Sequence, residues 1–188
     1  MLKRIIPFAH QLLIDTVQKD DIVVDGTCGN GNDTLLLASL TGPKGHVYAF
    51  DIQEQAIGST KQKLQENNHH NITYILDSHS KMNTYIKEEH KGKIAAAIFN
   101  LGYLPGSDKS IVTKPDSTIE AVEHLLQYIQ KGGLLILVVY HGHTEGKTEK
   151  EALLSFAAQL DQKQYDVLQY GFINQVNHPP FILAIQKR

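Results

Sequence analysis

The feature that most constrains this chain is a short strand that leads through a glycine-containing turn into a helix. Three β-branched residues precede Asp25, glycines follow at Gly29 and Gly31, and an apolar stretch spans residues 35–40. Glycine is required where the backbone passes close to a ligand or adopts a positive φ. A helix that begins behind such a turn presents unpaired backbone N–H groups. The pattern therefore predicts the cofactor-binding turn of an α/β fold.

Strand-like and helix-like segments alternate along the chain, which predicts a parallel sheet with helices on both faces. Two of the helices are expected to begin with capping boxes, at residues 117–120 and 148–151. The last two strands have no helix between them, so we expect them to form an antiparallel hairpin. The expected strands are residues 22–25, 46–51, 71–76, 94–100, 134–140, 164–172 and 181–186.

A terminal hairpin of this kind distinguishes class I S-adenosylmethionine (SAM) methyltransferases from dinucleotide-binding Rossmann domains. We therefore expect an α/β, Rossmann-like class I SAM-methyltransferase fold. It should have a seven-stranded, mostly parallel sheet, a C-terminal antiparallel hairpin and helices on both faces.

Length and composition exclude several functional classes. The chain has 188 residues, so we expect a single domain over residues 1–188. A net charge of −2 gives no support to a general polyanion-binding protein, and an RNA surface would have to be a local patch. A single cysteine excludes an internal disulfide and favours a reducing cytoplasm. The longest apolar run, residues 134–139, is too short to span a membrane.

The glycine turn favours SAM over a dinucleotide. Dinucleotide fingerprints require a third small residue, which residues 32–34 do not supply. Asp33 at the start of the helix would also repel a pyrophosphate. SAM carries no phosphate, so Asp25 and Asp33 are compatible with it. The turn resembles the D-x-G-x-G-x-G motif of SAM-dependent methyltransferases, with Thr27 in place of the first glycine.

Carboxylates after the next two strands extend the predicted cofactor site. Asp51 ends the second strand and can accept hydrogen bonds from both ribose hydroxyls. Asp77 follows the third strand, where SAM enzymes often place an acidic residue near the adenine amine; a solvent-exposed loop carboxylate is the alternative. The predicted cofactor-binding residues are Asp25, Thr27, Gly29, Asn30, Gly31, Asn32, Asp33, Asp51, Gln53, Asp77, Ser78, His79 and Asn100.

The segment from Asn100 to Tyr103 follows the fourth strand, where open α/β sheets bind ligands. It resembles the N-P-P-Y motif of methyltransferases that act on amino nitrogens, with Leu101 and Gly102 in place of the prolines. In that motif the asparagine accepts a hydrogen bond from the target NH2 group, and the aromatic ring stacks on the base. A simple Gly/Pro loop is the alternative interpretation.

Other reactive side chains carry weaker predictions. Cys28 lies in the cofactor turn, so we do not expect it to be a nucleophile. His141 and His143 follow the fifth strand; substrate contact or a surface position is favoured over metal, since no third ligand is recognisable. A rim of lysines could bind RNA phosphates or simply be solvated. These lysines are Lys109, Lys114, Lys147 and Lys150.

Together these segments resemble the MnmM (YtqB) family of rRNA methylase-like proteins. The resemblance rests on residues 25–34, 50–53, 99–109, 140–143 and 174–180. It implies a SAM-dependent tRNA methyltransferase that binds the anticodon region. Such an enzyme converts 5-aminomethyl-2-thiouridine at the wobble position to 5-methylaminomethyl-2-thiouridine.

An amine acceptor agrees with the segment around Asn100. A free alkylamine is mostly protonated at neutral pH, so the site must favour the neutral form or remove a proton. The predicted catalytic residues are Asn100, Tyr103 and His141, with Asp33, His141 or water as the base. The tRNA would be held by the domain's own loops, alone or in a homodimer. Open alternatives are a methyltransferase of rRNA or a small-molecule amine, an NAD-linked oxidoreductase and a non-catalytic SAM- or RNA-binding module.

Overall fold

A computed structural model describes residues 1–102, 113–142, 144–176 and 178–188, without the side chains of residues 144 and 145. The strands are β1 (Ile22–Asp25), β2 (His46–Asp51), β3 (Ile72–Leu76), β4 (Ile94–Leu101), β5 (Ile129–Val139), β6 (Tyr165–Tyr170) and β7 (Phe181–Lys187). The helices are α1 (Ile5–Thr16), α2 (Asn32–Thr41), α3 (Glu54–Glu66), α4 (Met82–Tyr85), α5 (Pro115–Tyr128) and α6 (Thr144–Ala158).

The strands form one sheet in the order β3-β2-β1-β4-β5-β7-β6. Strands β1 to β5 pair in parallel, whereas β7 is antiparallel to both β5 and β6. The expected class I methyltransferase fold with its terminal hairpin is thereby confirmed. After β3 the chain returns to the centre and places β4 beside β1. This change of direction is where open α/β sheets bind ligands, at the carboxyl ends of the strands.

The core consists of two layers, one on each face of the sheet. Side chains alternate across β4: Ala97 and Phe99 face the layer with α5 and α6, while Ala96 and Ile98 face the layer with α1 and α2. All four side chains are fully buried. This explains why β4 is apolar along its length, as a strand covered on both faces must be.

The helix starts differ from the sequence-based expectation. Helix α5 begins at Pro115, and the Ser117 hydroxyl donates to the Lys114 carbonyl instead of capping the helix. Helix α6 begins at Thr144, four residues before the second predicted box. Both predicted capping boxes are therefore wrong. Strand β5 begins at Ile129 rather than residue 134, and the Gly132–Gly133 pair lies inside it.

No helix within the described ranges is both long enough and apolar enough to cross a membrane.

Candidate active site

The turn after β1 is fastened to the strands on both sides. Gly26 N–H donates to the Ile98 carbonyl of β4 at 2.9 Å, and Cys28 N–H donates to the Phe50 carbonyl of β2 at 2.8 Å. Within the turn, Gly31 N–H donates to the Cys28 carbonyl at 2.7 Å. The turn thus continues the hydrogen bonding of the sheet, and its backbone has a defined shape before any ligand binds.

Two glycines in the turn are required by close packing. A Cβ on Gly26 would lie 2.1 Å from the nearest ring atom of Phe99. Gly31 has a φ of +75°, and a Cβ there would lie 3.0 Å from the Thr60 Cα. Gly31 was predicted from the sequence, whereas Gly26 was not. Its position directly after the strand was the available signal, but the contact with Phe99 appears only in three dimensions.

Asp25 is fully buried beneath the turn. Its carboxylate accepts from the Thr34 hydroxyl at 2.6 Å and from Thr27 N–H at 3.2 Å. Burial, and then the neighbouring charge of Asp33, raise the pKa of Asp25 to about 8. Asp25 therefore has a structural role, because its hydrogen bond to Thr34 links the end of β1 to α2.

Asp51 closes the other side of the turn. Its two carboxylate oxygens accept from the backbone N–H groups of Gly29 and Gln53, each at 3.0 Å. The Thr60 hydroxyl donates to the Gly29 carbonyl at 3.0 Å, which ties α3 to the same loop. An ionised carboxylate offers about four acceptor positions. Asp51 therefore keeps capacity for ligand hydroxyls, as a ribose-binding residue needs.

Asp33 joins the turn to the end of β4. In the first turn of α2, its Oδ2 accepts from Asn100 Nδ2 at 2.5 Å. Its Oδ1 lies 2.6 Å from Nε2 of His10, a residue of α1 that the sequence analysis did not identify. The Asn100 backbone N–H donates to the Thr27 hydroxyl at 2.7 Å. The structure therefore brings four predicted residues together, namely Asp25, Thr27, Asp33 and Asn100.

The other predicted residues of the turn lie at its rim. Asn30 is exposed, and the Asn32 side chain accepts from Lys63 Nζ at 2.5 Å. Both side chains lie outside the network around Asp33. If Asn30 and Asn32 contact the cofactor, they would do so from the outer surface of the turn.

The segment after β3 places one buried histidine, His79, beside the turn. His79 Nδ1 donates to the Gly26 carbonyl at 3.1 Å, and the ring packs edge-on against Phe99. Burial lowers the pKa of His79 to about 4, so the ring is neutral and its Nε2 is an acceptor. No described residue donates to that Nε2.

Asp77 is already engaged by its own segment. Ser78 N–H donates to it at 2.7 Å and the Tyr85 hydroxyl at 2.8 Å, while Lys81 forms an ion pair at 3.1 Å. The Tyr85 hydrogen bond is the main cause that lowers the Asp77 pKa. The carboxylate is therefore ionised, and its place near the adenine remains a prediction from the sequence.

His141 lies in a groove between the end of β5 and the loop before β7. The groove has a volume of about 450 Å³. The His141 ring centroid is 5.7 Å from that of Phe181 and 5.9 Å from that of His178. Burial and the neighbouring Lys150 lower the pKa of His141, so the ring is neutral near pH 7. The predicted residues Tyr103, His143 and Lys109 lie outside the described residues.

Cys28 is buried, with 4% of its surface exposed. Burial and the neighbouring Asp25 raise the pKa of its thiol well above the usual range. A nucleophilic cysteine needs a thiolate in an accessible, electropositive environment. The structural environment of Cys28 is the opposite of this.

Comparisons with known proteins agree with this fold. A family model described as "Putative rRNA methylase" matches residues 47–186. The chain belongs to this rRNA methylase family. It is 34% identical to the chloroplastic tRNA (mnm5s2U34)-methyltransferase of Arabidopsis thaliana, over 98% of this chain and 70% of that protein.

Two solved structures of similar proteins extend over the whole chain. A protein from Clostridium thermocellum described as a "putative rRNA-methylase" is 42% identical to this chain. The two structures superpose with a TM-score of 0.96, and the match covers all of both chains. A methyltransferase from Streptococcus mutans, also titled "putative" and solved in complex with S-adenosylhomocysteine (SAH), is 43% identical with a TM-score of 0.90. That match again covers all of both chains.

In this member of the rRNA methylase family, the carboxyl edge of the sheet combines two chemical environments. The β1 side presents backbone groups and the carboxylate of Asp51, which suit a ligand with hydroxyls and a zwitterionic tail. The β4 side presents the amide of Asn100, which can accept a hydrogen bond from an amine. Asp33 accepts from Asn100 across the boundary between the two environments.

Proposed function

We propose that this SAM-dependent methyltransferase acts on tRNA and N-methylates 5-aminomethyl-2-thiouridine at the wobble position. The observation that carries the amine acceptor is the Asn100 amide, held by Asp33 at 2.5 Å beside the cofactor turn. The wobble uridine is inferred from the similarity to the plant tRNA methyltransferase.

The residues around the turn fit SAM. Gly26 and Gly31 keep the turn free of side chains where Phe99 and Thr60 pack against it. Asp51 would bind the ribose hydroxyls, and the segment of Asp77, Ser78 and His79 would border the adenine. SAM supplies the methyl group when it is bound.

On the acceptor side, the role of Asn100 is to orient the substrate amine. Its amide carbonyl would accept one N–H of the amine and direct the nitrogen lone pair towards the methyl donor. Alignment of two reactants in this way is a major source of rate enhancement. We propose that Tyr103 stacks on the uridine and that His141, neutral near pH 7, accepts the proton that the amine must lose.

The groove beside His141 supports an RNA substrate. Lys150, His141 and His178 line it together with Phe172 and Phe181, and no acidic residue is among the described residues that line it. A lysine beside imidazole and phenyl rings suits phosphates and unstacked bases. Because β5 and β7 pair Val139 with Phe181, the groove shares the sheet edge of Asn100. We propose that it holds nucleotides next to the target uridine.

Methyl transfer to purified RNAs tests the proposal directly. Bulk tRNA and rRNA from a strain lacking the gene would be incubated with the enzyme and SAM, and their nucleosides analysed by mass spectrometry. We expect 5-methylaminomethyl-2-thiouridine to appear in tRNA and no new methylated nucleoside in rRNA. Methylation of rRNA alone would replace this proposal with the rRNA alternative suggested by the family description.

Two further parts of the proposal concern cellular context. We propose that the enzyme works in the cytoplasm, where its buried thiol at Cys28 stays reduced. We also propose that residues 1–188 act as one catalytic domain whose own loops hold the tRNA, alone or as a homodimer. Sedimentation with and without tRNA distinguishes a monomer from a dimer.

A further inference from the structure

His10 belongs to no recognised motif, yet it contacts the centre of the candidate site. It lies on α1, between Ala9 and Leu13, which are both fully buried against the sheet. Its Nε2 is 2.6 Å from Asp33 Oδ1, and 29% of the His10 side chain is exposed, against 11% for Asp33. The packing of α1 therefore holds the imidazole in a defined position at the edge of the site.

Donor and acceptor chemistry fixes the orientation of the three side chains. Carboxylate oxygens accept hydrogen bonds, and each oxygen of Asp33 lies within hydrogen-bond distance of a side-chain nitrogen, one from Asn100 and one from His10. Asn100 therefore turns its NH2 group towards Asp33, and its carbonyl oxygen lies at the other end of the amide. The same reasoning places a proton on Nε2 of His10.

We propose that His10 is a positioning residue for the methyl acceptor. By donating Nε2–H to Asp33, it holds the carboxylate that orients the Asn100 amide with its carbonyl oxygen available to the amine. This inference rests on the proposed amine methylation and adds to it a residue that does not touch the substrate.

Positioning differs from proton transfer in its dependence on pH. Both the neutral and the charged imidazole keep Nε2–H, so the contact with Asp33 persists in either state. The other titratable groups facing Asp33 are Asp25 on β1 and Tyr140 after β5. Replacing His10 changes the surroundings of Asp33, whose charge acts on Asp25, so only the loss of a whole limb of the pH–rate profile would report proton transfer by His10.

Substitution of His10 tests the proposal. We expect His10→Ala to lower kcat about tenfold, as the loss of one aligned hydrogen bond predicts, with KM for tRNA and the Kd for SAH within about twofold of wild type. His10→Gln carries an amide donor and should recover most of the activity. In an Asp33→Asn background, His10→Ala should add little further loss, because the two residues act through one contact. His70→Gln, at an exposed histidine on the loop before β3, is the matched control.

Three results would overturn the proposal. Loss of one limb of the pH–rate profile in His10→Gln would make His10 a proton carrier. A loss of SAH affinity equal to the loss of kcat would make its role structural. Nitrogen-15 NMR of the free enzyme should show the proton of neutral His10 on Nε2, and a proton on Nδ1 alone would contradict the contact.

The NMR and SAH measurements need no RNA, which separates the two hypotheses. If wild-type enzyme does not methylate tRNA, the proposed function fails while the tautomer and the Asp33 contact can still be checked. If wild type is active and His10→Ala is equally active, only the positioning role fails.

Discussion

The cofactor side and the acceptor side of the site are built by different means. Around the β1 turn, backbone N–H and carbonyl groups bond to β2 and β4, and glycines allow the close packing. Around Asn100 and the groove, side chains from α1, α2, β4, α6 and the loop before β7 converge. The cofactor side therefore depends on local backbone geometry, whereas the acceptor side depends on tertiary packing.

If this division is correct, removal of the Asn100 side chain should strongly slow methyl transfer without affecting the cofactor side. We expect Asn100→Ala to lower kcat about a hundredfold, the scale of a lost transition-state hydrogen bond in a preorganised site. Calorimetry with SAH should give a Kd within about threefold of wild type. Asn83→Ala, at an exposed position on α4, serves as the control. A parallel loss of SAH binding would show that the two sides are not separable.

The complementary experiment changes the cofactor side by adding a methyl group at Gly26, within the turn. Because a Cβ at residue 26 would meet the Phe99 ring at 2.1 Å, Gly26→Ala should cost about 1–3 kcal/mol of unfolding free energy and weaken SAH binding. Chemical denaturation measures the first effect and calorimetry the second. Gly58→Ala, where a Cβ meets nothing within 4 Å, should leave both unchanged or raise stability. Unaltered stability in Gly26→Ala would contradict the packing argument.

Asp25 should make the cofactor side sensitive to pH. Its pKa rises from 3.8 to about 8 in the folded protein, so the folded state binds more protons than the unfolded state between these values. The contribution of Asp25 to stability is therefore present at low pH and is lost as the pH rises through about 8. Denaturation from pH 5 to 8 should show a smaller decline in Asp25→Asn than in wild type, and identical slopes would refute the shift.

The groove should affect RNA affinity more than chemistry. Lys150→Gln should raise KM for tRNA about threefold, with kcat nearly unchanged. The slope of log Kd against log salt concentration should fall by the amount expected for about one lost phosphate contact. Filter binding across a salt series measures this. Lys163→Gln, an exposed lysine outside the groove, is the control, and equal effects of both variants would show a general charge effect.

The smallest effect is expected at Cys28. Cys28→Ala removes a buried thiol whose pKa is raised by burial, so methyl transfer should stay within about threefold of wild type. Single-turnover kinetics measures the rate of transfer. Complete loss of transfer in a stably folded variant would point to covalent catalysis.

The cofactor side was more predictable from sequence because its signals are local. Strands β1 and β2 were predicted with the observed limits, and Gly31 adopts the positive φ that the motif implies. The start of α5 was missed because Pro115 at its first position outweighed the Ser117 pattern. His10 lies 23 residues from Asp33 along the chain, so no local pattern could connect them. Phe99 was recognised as part of an apolar strand, but its packing over Gly26 depends on the fold.

The position of β7 between β5 and β6 has a consequence for how the site is acquired during synthesis. Strand β6 leaves the ribosome before β7, and among the described strands it pairs with β7 alone. The β1 turn and its partners all precede residue 102, whereas one wall of the groove requires Phe181. A nascent chain would therefore complete its cofactor turn before the groove beside His141.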